Sequence, residues 1–471
     1  MRHILLWYRN DLRTVDNPAL DYARHNGDRV TALFVNTPQQ WRSHHLSQRR
    51  IEFTDNAVKA LRQELSVVSV NLETIEVASF AEVPAAIGDC CRRLDVDSLV
   101  FNEEYAVNEV RRDQQVTSVC RELGVSVSTF HGSLIIPPHA IKTAQGLPYK
   151  IFTPFKRAWL QKLADYLPAP TLFSTKKQSK NVSVAHELPA QESLQQSRQM
   201  QWPATEQAAQ QRLQHFLSQQ IQRYDQNRDL PALAATSTLS PYLSIGIISP
   251  LRCLREALAW NHGDAQGGNG GVQAWINELI WREFYLHIMA AFPQVCCHQP
   301  LRPETNAVPW RTDEREFDSW CQGITGYPLV DAAMRQLNQQ GWMHNRLRMV
   351  TATFLTKYLL IDWRWGERYF MEQLIDGHLA SNNGGWQWCA STGTDAAPYF
   401  RILSPIRQTQ RFDPDARFIK HYVPELRPID AKIIHQPGHP QLLATGYPPP
   451  MVDLAEAKQR CLDAFKFATN N

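Results

Sequence analysis

The chain has 471 residues, of which 43% are hydrophobic and 20% charged. That is room for two or three domains and far too much apolar material for a disordered protein. A net charge of +3, with 25 basic against 25 acidic residues in 201–471, excludes a bulk basic coat, so any contact with a polyanion must come from a local patch. Nine scattered cysteines without a C-x-x-C pair exclude a disulfide framework or a structural zinc site. No metal is expected, and the thiols read as reduced and mostly buried.

The opening residues are too briefly apolar for a leader, because Arg9, Asp11 and Arg13 follow at once. No run approaches the ~20 apolar residues of a membrane span. A cytoplasmic protein is expected. Short apolar runs at 4–8, 30–35, 98–101, 125–130 and 134–136 alternate with amphipathic stretches such as 49–65. This pattern predicts a doubly wound α/β domain over 1–135, built on a parallel sheet with helices on both faces. Neither a G-x-G-x-x-G turn after the first run nor a P-loop is present. Ligands of such sheets sit at the carboxyl ends of strands, where Asn10-Asp11, Asn36-Thr37 and Asn102-Glu103 fall.

Residues 136–205 read as a long interdomain linker, rich in Gln, Ser and Lys from Leu167 onward. From 206 to 471 the pattern becomes helical, with i, i+3, i+4 spacing at 274–289, 330–338, 344–360 and 367–374. An all-α domain is expected, with a flexible surface loop at 267–271.

Ten of the 14 tryptophans lie from Trp260 onward. In W-I-N-E-L-I-W-R-E-F-Y, residues Glu278, Trp281, Arg282 and Tyr285 share one helix face. An acid, an indole, a guanidinium and a phenol on one face read either as a solvated, salt-bridged surface or as a surface that stacks a base and holds phosphate. Trp342, Asn345, Arg346 and Met349 share a second face. Arg346 and Arg348 need acidic partners on so apolar a helix, and Asp362 and Asp376 are candidates. Residues 374–388 place glycines and asparagines beside Trp386 and Trp388, which suits either a loop between helices or a polar aromatic pocket for a planar cofactor. Thr236-Ser237-Thr238-Leu239-Ser240 is a hydroxyl cluster ahead of a helix, fit for capping it or for holding phosphate.

These residues, with W-Y-R-N-D-L-R-T-V-D-N-P-A-L, T-G-Y-P-L-V-D-A-A-M-R-Q-L, G-W-M-H-N-R-L-R-M and N-N-G-G-W-Q-W-C-A-S-T-G-T-D-A-A-P-Y-F-R in this order, resemble the photolyase/cryptochrome family over essentially the whole chain. The likeness is greatest to bacterial class I cyclobutane pyrimidine dimer photolyases. It implies a Rossmann-like antenna domain, a linker and a helical FAD-binding domain. It also implies light-driven lyase chemistry: excited FADH⁻ gives an electron to a pyrimidine dimer flipped out of DNA, the ring splits and the electron returns. By resemblance Tyr224, Thr236, Ser237, Thr238, Leu239, Ser240, Trp275, Arg348, Asp376, Gly377, His378 and Asn382 hold FAD, with Asn382 beside flavin N5. His44, Asn108 and Glu109, with Cys296 near, match the site of a 5,10-methenyltetrahydrofolate antenna. Glu278, Trp281, Tyr285, Met349 and Trp388 match dimer contacts. Arg228, Arg282, Asn345, Arg346 and Gln408 match DNA contacts. Trp386, Trp363 and Trp310 match the tryptophan chain that reduces the flavin from the surface. Damaged DNA is the expected partner of a monomer.

Two positions depart from the family pattern. Asp376-Gly377-His378 stands where D-G-D is usual, and Cys297 where a lysine can occur. A cryptochrome-type signalling flavoprotein and a (6–4) photolyase are the alternatives. Glu278, Trp281, Met349 and Asn382 favour repair over the first, and Asn345 after His344 argues against the second.

Overall fold

His3–Tyr8 is buried along its whole length, as a strand covered on both faces must be. In the computed structural model, which describes residues 1–167, 202–396 and 398–470, this segment is the central strand β1 of a five-stranded parallel sheet. The others are β2 (Arg29–Asn36), β3 (Asn71–Glu76), β4 (Ser98–Asn102) and β5 (Ser126–Phe130), in the order β3-β2-β1-β4-β5. The order reverses at β1, so a crevice opens where β1 and β4 end. Asn102 closes its floor by donating to Asp11 at 2.6 Å and to Asn17 at 2.8 Å.

Two expectations about strands are corrected. β3 is an edge strand with one face in water, and its polar Asn-Leu-Glu-Thr-Ile-Glu pattern gave no apolar run to read. Residues 134–136 are buried but form no strand. The backbone N–H groups of Ile135 and Ile136 donate instead to the carboxylate of Glu283, from a helix 147 residues further on.

That helix, Gly270–Ala291, is the spine of the second half of the chain. Asn269 caps it by accepting from Val272 N at 3.1 Å. Gly271 has to lack a side chain, because a Cβ there would lie 2.0 Å from the Ile221 carbonyl oxygen. The expected loop at 267–271 therefore ends in the first turn of this helix. One apolar core runs from Ile4, Leu6 and Tyr8 on the sheet to Trp159, Ile276 and Phe284. A separate cluster, Leu5, Trp7, Leu33, Ile87 and Val116 among it, covers the other sheet face.

Within the stretch read as a linker, Phe152–Tyr166 is a helix whose Trp159 is completely buried. Residues 168–201 of that stretch lie outside the described residues. Of the two readings of 374–388, the loop between helices holds only to His378, since Leu379–Ala390 is helical. Gly384 sits inside the helix because the Tyr285 ring would lie 2.2 Å from a Cβ there. The expected helix over 344–360 is Asn345–Thr353 followed by a π-helical turn, Phe354–Tyr358. Among the described residues, no helix is long and apolar enough to cross a membrane.

Glu283 accepts from two backbone amides and from the Trp159 indole at 2.7 Å. Burial pushes its carboxyl up to about 7 from the usual 4.5. Each donor left without a partner costs about 1–3 kcal/mol, so Glu283→Ala is expected to lose about 3 kcal/mol or more in urea unfolding. With the folded value above the unfolded one, the Glu283 contribution is complete below pH 4.5 and is lost as the pH rises through about 7. The stability difference between wild type and Glu283→Gln measures that fall.

Candidate functional site

The face of Gly270–Ala291 divides into two surroundings. Glu278 accepts from Arg228 at 2.5 Å. Burial raises the Glu278 carboxyl, and Arg228 holds it partly down. Trp281 lies flat on Phe152, with ring centres 3.6 Å apart and planes within 5°. Tyr285 packs beside Trp281, at 5.6 Å between rings. Arg282 turns elsewhere. Its guanidinium donates to the Ser133 carbonyl at 2.7 Å and lies 3.4 Å from that of Leu243, on the seam between the domains. The structure does not bring Arg282 to the Arg228–Glu278 pair.

Arg346, on the second face, and Arg348, on another side of the same helix, are both paired. Arg348 donates to both oxygens of Asp376, at 3.0 and 2.8 Å, as one of the sequence candidates foresaw. Arg346 makes a two-pronged pair with Asp229 at 3.2 and 2.8 Å. Asp362 is not its partner, because that carboxylate caps its own helix and binds Arg364 at 3.1 Å. Asn345 is exposed, whereas Met349, Trp388 and Gln408 are half-buried. Met349 Sδ lies 3.9 Å from an Arg346 nitrogen, so this residue joins the same group.

Tyr224, Leu239 and Trp275 are buried, while Thr236, Ser237 and Thr238 are half-buried and Ser240 is exposed. Thr238 has left-handed backbone, φ 49°, and Trp202 donates to its carbonyl at 3.1 Å. The short helix expected after this cluster is present as Ser240–Ser244. Trp342 Nε1 reaches Ser240 Oγ at 3.2 Å, linking the cluster to the segment before Asn345–Thr353.

Asn382 projects from Leu379–Ala390 and donates its amide nitrogen to the Glu367 carbonyl at 2.9 Å. Its amide oxygen consequently points away from that carbonyl. Gly377 is buried beside Asp376. His378 Nδ1 lies 3.0 Å from Ser381 Oγ. Burial, with Arg282 and Arg50 nearby, pushes the His378 imidazole well below 6.5, so it is neutral at pH 7. Trp386 and Trp363 are buried, and Trp310 is half-buried with its ring 5.8 Å from Phe465.

Between the domains lies a cavity of about 360 Å³, within the range of small-molecule sites. His44, Asn108 and Glu109 meet in it. His44 Nε2 is 3.1 Å from Asn108 Nδ2, and His44 Nδ1 is 3.8 Å from Glu109. Burial pushes Glu109 up to about 7 and lowers His44. The cavity continues to Arg9 and Trp7 at the β1–β4 crevice and to Arg50, Arg282, His298, Glu367 and His378 on its other wall. The sequence reading missed Arg9, Arg50, His298 and Glu367 here. Arg9 was foreseeable only as the residue after β1, and Arg50 only as a first-turn residue of the helix Gln48–Val67. Nothing local marks the other two.

The residues fit two chromophores. Near the positions matched to the flavin, Arg348 is fixed by Asp376 and Asn382 by the Glu367 carbonyl, while Ser240 and Asn345 are exposed. In the interdomain cavity, Arg9 Nε and Nη1 and the Trp7 indole N–H are buried without hydrogen-bond partners, the Glu104 carboxylate lying 3.9 Å from Arg9 Nε. Such groups are costly unless a ligand or water meets them.

Residues 4–171 match the family model described as DNA photolyase, and residues 275–467 the one described as the FAD binding domain of DNA photolyase. A deoxyribodipyrimidine photo-lyase of Escherichia coli K12 is 43% identical, over 98% of each chain.

The chain belongs to the DNA photolyase family.

A bacterial class III photolyase from Agrobacterium tumefaciens superposes with a TM-score of 0.83 at 33% identity, covering 100% of this chain and 98% of its own. A Synechocystis cryptochrome gives a TM-score of 0.82 at 26% identity, covering 98% and 99%. The photolyase fold thus accounts for both halves of the chain in their observed order.

Proposed function

We propose that this photolyase repairs cyclobutane pyrimidine dimers in DNA under blue light, with the site residues in the roles below. The observation that carries the assignment is the Asn382 amide, anchored through its nitrogen so that its oxygen is left for a donor such as a reduced flavin N5–H. FAD is assigned to Tyr224, Thr236, Ser237, Thr238, Leu239, Ser240, Trp275, Arg348, Asp376, Gly377, His378 and Asn382. The chemistry it supplies when bound is one-electron donation under blue light. Asp376 fixes Arg348, and the hydroxyl cluster suits a diphosphate. Neutral His378 in place of an acid leaves Arg282 and Arg50 without a carboxylate at that position.

Glu278 is placed to donate an O–H toward a carbonyl edge of the flipped pair. Its partner Arg228 is also a phosphate ligand in this reading. When Arg228 turns to a phosphate, the cation that holds the Glu278 carboxyl down departs, so DNA binding favours the protonated acid. Trp281, Tyr285, Met349 and Trp388 receive the pair, and Asn345, Arg346 and Gln408 hold the strand. Photolyases flip bases out of the duplex, and damage lowers the unstacking cost of a few kcal/mol. Arg282 is assigned to domain docking, because its donors are engaged at the seam.

Trp386, Trp363 and Trp310 run from buried to half-exposed, which suits passage of an electron inward from the surface. The interdomain cavity takes a 5,10-methenyltetrahydrofolate antenna, with Glu109 and Asn108 offering hydrogen bonds. Cys297 replaces a lysine there, so the antenna is held with one cation fewer. A cytoplasmic monomer completes the proposal.

The test is repair of a duplex carrying one thymine dimer by reduced, flavin-loaded protein in light and in darkness. Light-only repair is expected. Absence of repair with reduced flavin bound moves the assignment to a cryptochrome-type or (6–4) protein. Glu278→Ala is expected to lower repair quantum yield by about tenfold or more, the scale of losing an aimed donor, with a smaller change in DNA affinity. Trp310→Phe should slow flavin photoreduction and spare repair by pre-reduced enzyme. Asn382→Asp should make reduced flavin harder to retain, read from the rate of its reoxidation in air.

A further inference from the structure

Glu367 lies on the helix Trp363–Gln373 and is 1% exposed. Its main chain and side chain hold neighbouring asparagines. The carbonyl accepts from Asn382 at 2.9 Å, and carboxylate Oε1 accepts from Asn383 at 2.8 Å. The network continues to Gln387, which donates to Asn383 Oδ1 at 2.9 Å and accepts from Leu301 N at 2.9 Å. Trp386 sits between Asn383 and Gln387 on this same helix. The second oxygen, Oε2, lies 2.9 Å from His298 Nδ1.

His298 is built for that contact. Its backbone is left-handed, φ 56°, which is uncommon for a residue with a β-carbon. Arg364 fixes its carbonyl at 2.7 Å. Its ring is half-exposed and lines the interdomain cavity with Glu367 behind it. Other charged or titratable groups around the cavity here are Arg364 and Arg368 on the Glu367 helix, Cys296 on its own segment, and His44 and Glu109 across the space.

A carboxylate so deeply buried needs a counter-charge as well as donors. His298 supplies one when protonated. We propose that His298 and Glu367 form a proton-gated positioning pair, which holds the Asn382 amide aimed at the flavin while the imidazolium is present and loosens it when that proton leaves. The inference rests on the assignment of Asn382 to the flavin.

The proton that leaves is the one on Nε2, which passes to water in the cavity. The Nδ1 hydrogen bond to Glu367 survives, but the counter-charge does not. The buried carboxylate is then better stabilised by turning toward the water of the cavity, and that turn disturbs its hold on Asn383 and the adjoining carbonyl that anchors Asn382. The bond to Glu367 raises the His298 value above 6.5. The pair is therefore closed below the folded-state value and opens as the pH rises through it.

The test uses the full flavin-loaded chain. The His298 ring is titrated by nuclear magnetic resonance in wild type and Glu367→Gln. The rate of light-driven flavin reduction with an added thiol, and the shape of the flavin absorption band, are followed against pH. Wild type should show a one-proton step above the ordinary histidine value in the ring titration, the rate and the band. His298→Gln should remove the step and leave the high-pH rate at every pH. His298→Lys, a permanent cation, should keep the low-pH rate throughout. Glu367→Gln should return the His298 titration to its ordinary value.

A wild-type His298 that titrates at or below the ordinary value overturns the pair. So does a His298→Gln variant that keeps the wild-type pH step. Asn382→Asp separates the two levels. If it alters flavin behaviour while His298→Gln does not, the pair fails and the Asn382 assignment survives. If Asn382→Asp leaves the flavin unaffected, both fall.

Discussion

One buried carboxylate sets the geometry between the two halves of this protein. Glu283 reaches from the long central helix to the main chain that leaves the sheet, and it takes up two N–H groups that would otherwise be orphaned. A β-strand there would satisfy those groups through a neighbour. Here a side chain does so, and the chain is free to cross toward the helical half. The same carboxyl group binds the Trp159 indole, so crossing segment, connecting helix and spine meet at one side chain. Arg13, 1% exposed, reinforces the seam by donating to Gly246 and Gly132 carbonyls. The interdomain cavity lies along this fixed seam, with its walls supplied from both sides.

Charge balance explains how a neutral helical half can meet DNA. Arg228 is paired with Glu278, and Arg346 with Asp229. These partly exposed ion pairs add little to stability. They keep guanidinium groups ordered without a net excess of positive charge. In the proposed reading a phosphate competes for a cation already in place, and the carboxylate that Arg228 releases, Glu278, belongs to the group proposed to touch the substrate.

Regular burial was legible in the sequence, and departures from it were not. The four apolar runs that became β1, β2, β4 and β5 carried their own signal. β3 did not, because an edge strand half in water has no continuous apolar pattern. Residues 134–136 were as apolar as a strand, yet their hydrogen bonds go to a side chain far along the sequence, which no local pattern encodes. Gly384 and Gly385 looked like loop formers, but both lie in the helix Leu379–Ala390, where Gly384 admits the Tyr285 ring. Helical spacing placed Glu278, Trp281 and Arg282 together, and the family likeness gave them roles. Their actual partners, Arg228, Phe152 and Ser133, come from three separate segments. His298 and Glu367 were invisible for the same reason: each is unremarkable in its own stretch, and only folding puts an imidazole on a buried carboxylate.

Phe152 lies flat against Trp281, and this limits how a guest can use that indole. With one face already covered, the indole is a shelf and not half of a sandwich. A single base seeking stacking on both sides finds no slot between two plates. A guest has to rest on the open face or meet the ring edge. Two bases tied together by covalent bonds, bent and unable to stack like a normal pair, suit such a one-sided support better than a flat, undamaged base does. In the role proposed for Trp281, the aromatic contact acts as a filter of shape before any light is absorbed.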